Sequence, residues 1–482
     1  MLLMKFFSGP LTFIALYLAP YEGLSSEGRI VLAIFGWMIT WWMAQPVPWG
    51  VAALLPLVLF PGFGLMTIGR TVGLYGQNVF FWLLGTVLLG YAIQRHGLAK
   101  RFALWFLSRR VIGGNTYRLI FAFMLSTSIC SMFISDAASV AMMMPVGISL
   151  VAYVRTVGGI SPSQKTNLGT FMSLACLYGA VAGGTATLVG TPYNVLSVGL
   201  LQTLIGQDLG FFDWMKVGVP VWITSLGMFY LVLCLFLRPE VPHLPGGAEF
   251  IQQERKKLGP LSSAERATLF VFVSMVTLFI LPALISLTLG GEHTLTKWAR
   301  VALSIYVVPP AIVLLMFCTP VNWRKSEFLL TWREVTEHAP WNIMLMCASA
   351  VGVSVALVEF GFVTFAEGLI AGLGLGPYSL PFVTALLVAV GANMVTASAV
   401  TALFGTILTP AAQLIGLNPV SMAILIPQMA TGIMLPWSGP AVAIAFASGD
   451  AELKDMIRIG AVATALLAIL VPGIHTLLAP YL

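Results

Sequence analysis

The sequence predicts an all-α polytopic membrane protein, and three observations carry that reading. Of its 482 residues, 59% are hydrophobic and 9% are charged, where a soluble domain carries about a quarter charged residues. The apolar residues gather into runs long enough to cross a bilayer as helices. The few charges collect between those runs, notably from Arg95 to Arg118, Arg238 to Arg266 and Arg324 to Arg333. The net charge of +6 therefore belongs to loops beside membrane lipid, and it does not describe a nucleic-acid surface.

The elements follow in chain order. Lys5 and the short apolar run after it could pass for a signal peptide, but no small-residue cleavage pattern follows, so the run 8 to 22 is read as a first membrane helix. Runs 29 to 46, 48 to 65 and 79 to 95 come next. The region 119 to 154 is long enough for two helices, but each half is short and small polar residues break it, which predicts a re-entrant hairpin. Then come 167 to 203 and 215 to 237. The hydrophilic segment 238 to 266, with Glu254-Arg255-Lys256-Lys257, is a linker containing a surface helix. Runs 267 to 289, 301 to 318 and 341 to 358 precede a second two-armed region, 378 to 412, also read as a re-entrant hairpin. Runs 421 to 447 and 459 to 480 close the chain, for about eleven spans in all.

Charge tests this topology, because each span switches sides while a hairpin returns to the side it left. With Lys5 inside, Arg95 to Arg118, Arg155 with Lys165, Arg238 to Arg266, Arg324 to Arg333, and Lys454 with Arg458 all fall inside. The stretch 359 to 420 holds no base, and Lys216 and Lys297 with Arg300 are mild exceptions. The amino terminus is then cytoplasmic and the carboxyl terminus outside.

The two halves repeat. The span from Phe80 to the Gly97 turn parallels that from Trp341 to the Gly361 turn. Ser131-Met132-Phe133-Ile134-Ser135-Asp136-Ala137-Ala138 parallels Ala392-Asn393-Met394-Val395-Thr396-Ala397-Ser398-Ala399. Gly183 to Asn194 parallels Gly432 to Val442, and Asp213 to Gly218 parallels Asp455 to Gly460. One hairpin departs from the inside and the other from the outside, so the repeats are inverted. Glycine and proline inside a span free backbone groups that are tolerated only in protein or beside a cavity. Broken helices at matching places in inverted halves point to a midplane site, where helix amino termini favour anions and freed carbonyls favour cations.

Asp136 is the one charge between Arg118 and Arg155. A carboxylate at bilayer depth costs at least ~2.5 kcal/mol, so it marks an ion or substrate pathway. A hairpin-tip carboxylate bonded to the amides of its own turn is the alternative. Thr185, Thr187, Thr191 and Asn194 either line the site or satisfy backbone freed by the break. Cys130, Cys176, Cys234, Cys318 and Cys347 have no metal-ligand spacing and read as buried small hydrophobes. His96, His293, His338 and His475 lie at segment ends or loops and read as interfacial packing.

These residues resemble the divalent anion/sodium symporter (DASS) family of di- and tricarboxylate transporters, over most of the chain. Gly183 to Asn194 is similar to the family's Gly-Gly-Thr-Ala-Thr…Gly-Thr-Pro-Pro-Asn segment. The hairpin from Ser131 to Pro145 and the run Ala447-Ser448-Gly449 into Lys454-Asp455-Met456 add to the likeness. The resemblance implies elevator-type alternating access and a scaffold that forms a homodimer. On that reading 1–78 and 267–340 supply scaffold helices, the latter with an interfacial helix. Segments 79–237 and 341–482 are then the inverted repeats, joined through a cytoplasmic linker, 238–266.

Family hairpin tips read Ser-Asn-Thr, hold the substrate carboxylates and help coordinate sodium. Here the first tip reads Ser135-Asp136-Ala137 and the second Thr396-Ala397-Ser398. Tyr193 replaces the first motif's second proline, and Ser438-Gly439-Pro440-Ala441-Val442 replaces Gly-Thr-Pro-Pro-Asn. The resemblance carries substrate binding to Ser135, Asp136, Thr191, Asn194, Thr396, Ser398, Gly439 and Pro440. A hard cation prefers oxygen ligands, which suits Ser131, Ser135, Asp136 and carbonyls near Gly190. Ala392 and Ala397 offer no side-chain oxygen, so one side-chain cation site is expected.

The function expected is secondary symport of a small organic anion, a di- or tricarboxylate, in a bacterial cell membrane. Sodium or a proton is the coupling ion, and no cofactor is expected. An ionised Asp136 repels an anion by several kcal/mol within about 4 Å, so the cation must load first. A depleted second half also suits a smaller anion such as sulfate, or a substrate held by backbone amides. A cation/proton antiporter carrying its ion on Asp136 is the alternative. No HExxH, GxSxG or intramembrane His–acid pair supports an enzyme.

Overall fold

A computed structural model describes residues 2–76, 78–109, 115–161, 164–242, 247–372 and 374–479. Part of the linker, 243–246, and the end of the last apolar run, at 480, lie outside the described residues. The chain opens with α1 (Leu2–Leu18), α2 (Ser26–Ala44), α3 (Trp49–Ala52), α4 (Leu55–Gly62) and α5 (Ile68–Gly73). Next are α6 (Asn78–Arg95), α7 (Leu98–Leu107), the pair α8 (Thr116–Ser131) and α9 (Asp136–Val157), then α10 (Asn167–Ala186), α11 (Pro192–Ile205) and α12 (Phe211–Phe236). The middle holds α13 (Gly247–Lys257), α14 (Ser263–Leu289), α15 (Thr294–Ala302) and α16 (Val308–Cys318). A small antiparallel pairing of β1 (Pro320–Asn322) with β2 (Glu327–Phe328) leads to α17 (Trp332–His338). Last come α18 (Trp341–Glu359), α19 (Phe362–Gly372), the pair α20 (Ser379–Met394) and α21 (Ala397–Leu414), then α22 (Pro419–Met429), α23 (Pro440–Ala447) and α24 (Leu453–Leu478).

Among the described residues, seven helical stretches are long and apolar enough to cross a membrane, and the protein is an all-α polytopic membrane protein. One of the seven is α9, an arm of the region 119 to 154, so at 22 residues that half is not short as expected; fewer of the about eleven apolar runs appear among the rest because several runs are split. The run 48 to 65 becomes α3 and α4, since Pro56 has no N–H to extend a helix through it. The run 301 to 318 begins in the last two residues of α15, and its own helix starts only at Val308, with Pro309 and Pro310 in the first turn, where a missing N–H costs little. The runs 167 to 203 and 421 to 447 each become two helices separated by irregular backbone.

Local chemistry sets the ends. Ser262 and Glu265 close a reciprocal capping box at the start of α14 (Glu265 N to Ser262 Oγ, 3.1 Å; Ser262 N to Glu265 Oε2, 2.7 Å). Gly206 ends α11 at φ 74°, a left-handed position that glycine reaches without steric cost. Arg101 on α7 then grips Glu265 bidentately (Nε to Oε1, 2.7 Å; Nη2 to Oε2, 3.0 Å) and donates to the Gly259 carbonyl at 2.8 Å. That fork pins the end of the linker to the helical body.

The core lies along α10, whose residues from Leu168 to Ala186 are all buried. Gly183 permits this: a Cβ there would overlap the Ser128 carbonyl oxygen, so only glycine lets α10 lie against α8. On α14, by contrast, Phe270, Val273, Leu284 and Leu287 are exposed, as suits a lipid-facing helix. The far end of the site helices is tied across the chain. Arg155 at the end of α9 pairs with Asp450 (2.5 Å), whose carbonyl accepts from Thr170 on α10 (2.9 Å). Both charged side chains are largely buried, where losing one partner costs far more than the intact pair contributes. Cys130, Cys176 and Cys347 are buried, but Cys234 is only half-buried and Cys318 is exposed at the end of α16, so the reading of all five as core residues does not hold.

Candidate functional site

The helix break between α10 and α11 is held by side chains on both sides. Thr191 caps α11 by accepting from Asn194 N at 3.3 Å, and Pro192 starts the helix where its missing N–H is harmless. The last carbonyls of a helix have no donor within it. Asn194 answers two freed carbonyls, donating from Nδ2 to Gly184 O (2.9 Å) and Thr187 O (3.0 Å). The Thr187 hydroxyl donates to Met132 O, joining this break to the turn between α8 and α9. Thr185 donates back to Ala182 O at 2.7 Å.

Asp136 opens α9 beside this break, with Ser135 as its cap (Ala138 N to Ser135 Oγ, 3.4 Å). Its two carboxylate oxygens each accept a hydroxyl: Ser131 donates to Oδ1 at 3.1 Å and Tyr193 to Oδ2 at 3.0 Å. The acid is therefore held by side chains from α8 and α11 and by the positive end of its own helix. Gly184 makes room for it, since a Cβ there would overlap Asp136 Oδ1. Tyr193 carries no role in the sequence reading beyond replacing a proline. The signal available was a phenol beside a break, facing an unpaired acid elsewhere in the chain.

The second half is built differently. Asn393, near the end of α20, accepts with Oδ1 from Ile433 N (3.1 Å) and Met434 N (2.9 Å), the backbone between α22 and α23. It ties the turn between α20 and α21 to that break, as Thr187 does in the first half. Sequence reading passed over it because it precedes the tip Thr396-Ala397-Ser398 by three positions; a carboxamide among apolar and small residues was the available signal. Asn393→Ala strands two N–H groups, for an expected loss of about 2 kcal/mol and up to roughly thirtyfold slower transport. Wild-type transport and an unchanged melting temperature would remove Asn393 from the site.

The two halves meet at one cavity of about 250 Å³. It is lined by Ser135, Asp136, Thr191, Pro192 and Tyr193 from the first half and by Thr396, Ser398, Gly439 and Pro440 from the second. The amino termini of α9, α11, α21 and α23 all reach it, through their caps Ser135, Thr191, Thr396 and Gly439. Ser135 and Thr191 occupy their own amides, while Thr396 makes no side-chain cap and Gly439 has no side chain to make one. The Thr396 hydroxyl is buried without a protein partner. The second half thus presents open amide ends and a free hydroxyl to the cavity.

Of the residues expected to bind substrate, all but Asn194 line this cavity. Asn194 is 1% exposed and spends its amide on the break. Ser131 is likewise buried and reaches the cavity only through Asp136. Gly190 packs against the Gly184 backbone, its N–H bonded to Thr187 O at 3.2 Å. His338 lies beside a second cavity of about 200 Å³ that shares Ser135, Thr191 and Pro192 with the first, and its ring stacks on Tyr91 at 4.3 Å. His475 lies in the last turn of α24, at a segment end as expected, and is 1% exposed against neighbouring helices.

Comparison with known proteins places this geometry in context. Residues 5–479 match the model of a family described as the sodium:sulfate symporter transmembrane region. The sodium-dependent dicarboxylate transporter SdcS of Staphylococcus saprophyticus is 27% identical over 460 residues, covering 94% of this chain and 86% of that protein. SdcS of Staphylococcus aureus strain bovine RF122 is 29% identical over 463 residues, with the same coverage of 94% and 86%. Among solved structures, MtrF of Neisseria gonorrhoeae aligns with a TM-score of 0.58 at 14% identity, over 98% of this chain and 96% of that one. The YdaH transporter of Alcanivorax borkumensis aligns at 0.54 and 15% identity, over 86% and 87%. Both show likeness of fold.

Proposed function

The chain belongs to the sodium:sulfate symporter transmembrane family and is a multi-pass membrane transporter, and from that premise we propose that it carries a dicarboxylate-class organic anion together with sodium. One observation carries the reading: four helix amino termini converge on a single cavity. Each amino terminus acts as about half a positive charge, so the four together present about two. An ionised Asp136 cancels half of that. Once a cation neutralises the carboxylate, the cavity matches a divalent anion, and this orders the cycle with the cation first and the anion second.

Ser135, Thr191, Thr396 and Ser398 supply hydroxyls to the substrate, and the open ends at Thr396 and Gly439 supply backbone N–H donors. The side-chain oxygens of Ser131, Ser135 and Asp136 form the cation site. The family resemblance supports inverted repeats, an elevator movement of the site helices against scaffold helices, and a homodimer. The positive-inside count supports a cytoplasmic amino terminus and an outer carboxyl terminus, and the staphylococcal relatives support a bacterial cell membrane.

Uptake by the purified protein in liposomes tests this, with labelled dicarboxylates, tricarboxylates and sulfate under separate sodium and proton gradients. Dicarboxylate accumulation driven by sodium is the expected result. A proton would neutralise the same carboxylate, and accumulation under the proton gradient alone would reassign the coupling ion. Failure with every anion would sink the proposal.

A further inference from the structure

A second buried polar group sits behind the first helix break, outside the lining of the cavity. His475 on α24 lies within 2.8 Å of Gln428 Oε1 through Nε2, and within 3.0 Å of Ser421 Oγ through Nδ1. Gln428 in turn places Nε2 3.4 Å from Thr185 O, which also accepts from Trp214 Nε1 at 3.0 Å. All of these side chains are at least nine-tenths buried or bonded within that pocket: His475 is 1% exposed, Gln428 2% and Ser421 8%.

The chain of bonds has one consistent direction. Thr185 O can only accept, so Gln428 must turn its amide nitrogen toward it and its oxygen toward His475. His475 must then carry its proton on Nε2, and Nδ1 accepts from Ser421. Every group is satisfied with the imidazole neutral. Thr185 O is one of the carbonyls that α10 leaves without an internal donor at its end. The next residue toward the amino terminus, Gly184, is the one whose missing Cβ admits the Asp136 carboxylate.

We infer that His475 is a positioning residue for the cation and anion site: it sets the orientation of Gln428, which with Trp214 holds the Thr185 carbonyl and so the backbone of the first helix break against Asp136. This rests on the transport reading of that site, but its structural part does not. A flipped Gln428 would set oxygen against the Thr185 oxygen and release the break.

Two isosteres separate this role from packing. In His475→Gln the amide nitrogen replaces Nε2 and keeps the donor to Gln428; in His475→Asn the amide reaches only the Nδ1 position and loses it. Hydrogen exchange at residues 187–190 in the purified full-length protein is read alongside sodium and anion half-saturation in liposomes. His475→Asn is expected to speed exchange there roughly tenfold and to raise half-saturation roughly tenfold, with exchange in the body of α10 unchanged. His475→Gln is expected to match the wild type in both, at an unaltered pH profile.

Equal effects from both variants, or wild-type behaviour in His475→Asn, would overturn the inference. A shifted pH profile in His475→Gln would do the same, by making His475 a proton carrier. Exchange needs no transport, so a protein that moved no dicarboxylate but showed the exchange contrast would overturn only the functional reading.

Discussion

Asp136→Asn is expected to abolish the requirement for a cation before the anion binds. Asparagine keeps the shape of the side chain, and the hydroxyls of Ser131 and Tyr193, now 3.1 and 3.0 Å from the carboxylate, can rotate to pair with an amide. What changes is the charge. Two unit charges about 5 Å apart repel by roughly 3 kcal/mol at an effective dielectric of about 20, which is more than a hundredfold in affinity. In sodium-free medium the variant should therefore bind the anion at least tenfold more tightly than the wild type, while a sodium gradient no longer drives accumulation. Equilibrium binding of a labelled dicarboxylate, with and without sodium, measures the first effect; uptake against a concentration gradient measures the second. If sodium and pH dependence stayed as in the wild type, Asp136 would have no coupling role.

The second large effect is expected at Asn194, for a reason unlike substrate contact. Its Nδ2 donates to Gly184 O and Thr187 O together, from a position 1% exposed. Asn194→Asp puts a carboxylate oxygen against two carbonyl oxygens in a buried place, strands Gly184 O and leaves Thr187 O only the Gly190 N–H. Losing the bond to Thr187 O costs about 1 kcal/mol, and the stranded buried Gly184 carbonyl costs about 1–3 kcal/mol, to which the buried charge adds. Transport should fall by more than a hundredfold, with a lower melting temperature in detergent. Asn194→Ala loses the bonds without adding a charge and should lie between. A direct substrate ligand would instead show raised half-saturation with stability intact. Stable Asn194→Asp protein with normal uptake would refute the role assigned here.

Much of the site was legible one residue at a time. Asp136 stood out as a charge in an apolar run, and Ser135, Thr191, Thr396 and Gly439 were named from the two tips and breaks. Their neighbours were not legible in the same way. Tyr193 and Asp136 lie 57 positions apart, and no local pattern says that a phenol will reach that acid. Asn393 was passed over because its partners, Ile433 and Met434, are 40 and 41 positions away. His475 lies at a helix end, and that place did not show its burial, since burial depends on what packs against the helix and not on where the helix stops. For Asn194 the sequence leaves both roles open, ligand or brace for freed backbone, because a carboxamide at a break suits either until the carbonyls it donates to are located.

The sequence by itself determined that the chain lives in a membrane, that the runs 167 to 203 and 421 to 447 break, and which charge had to be explained. Those features are local: the length of an apolar run, a proline without an N–H, a carboxylate that lipid will not solvate. Tertiary structure alone decided that four helix amino termini share one cavity, that Tyr193 and Ser131 hold Asp136, and that Asn194, Asn393 and Gln428 serve the backbone of the breaks. Such pairings depend on freed carbonyls and amides finding partners from distant segments, and a linear pattern of residue types does not specify which partner arrives.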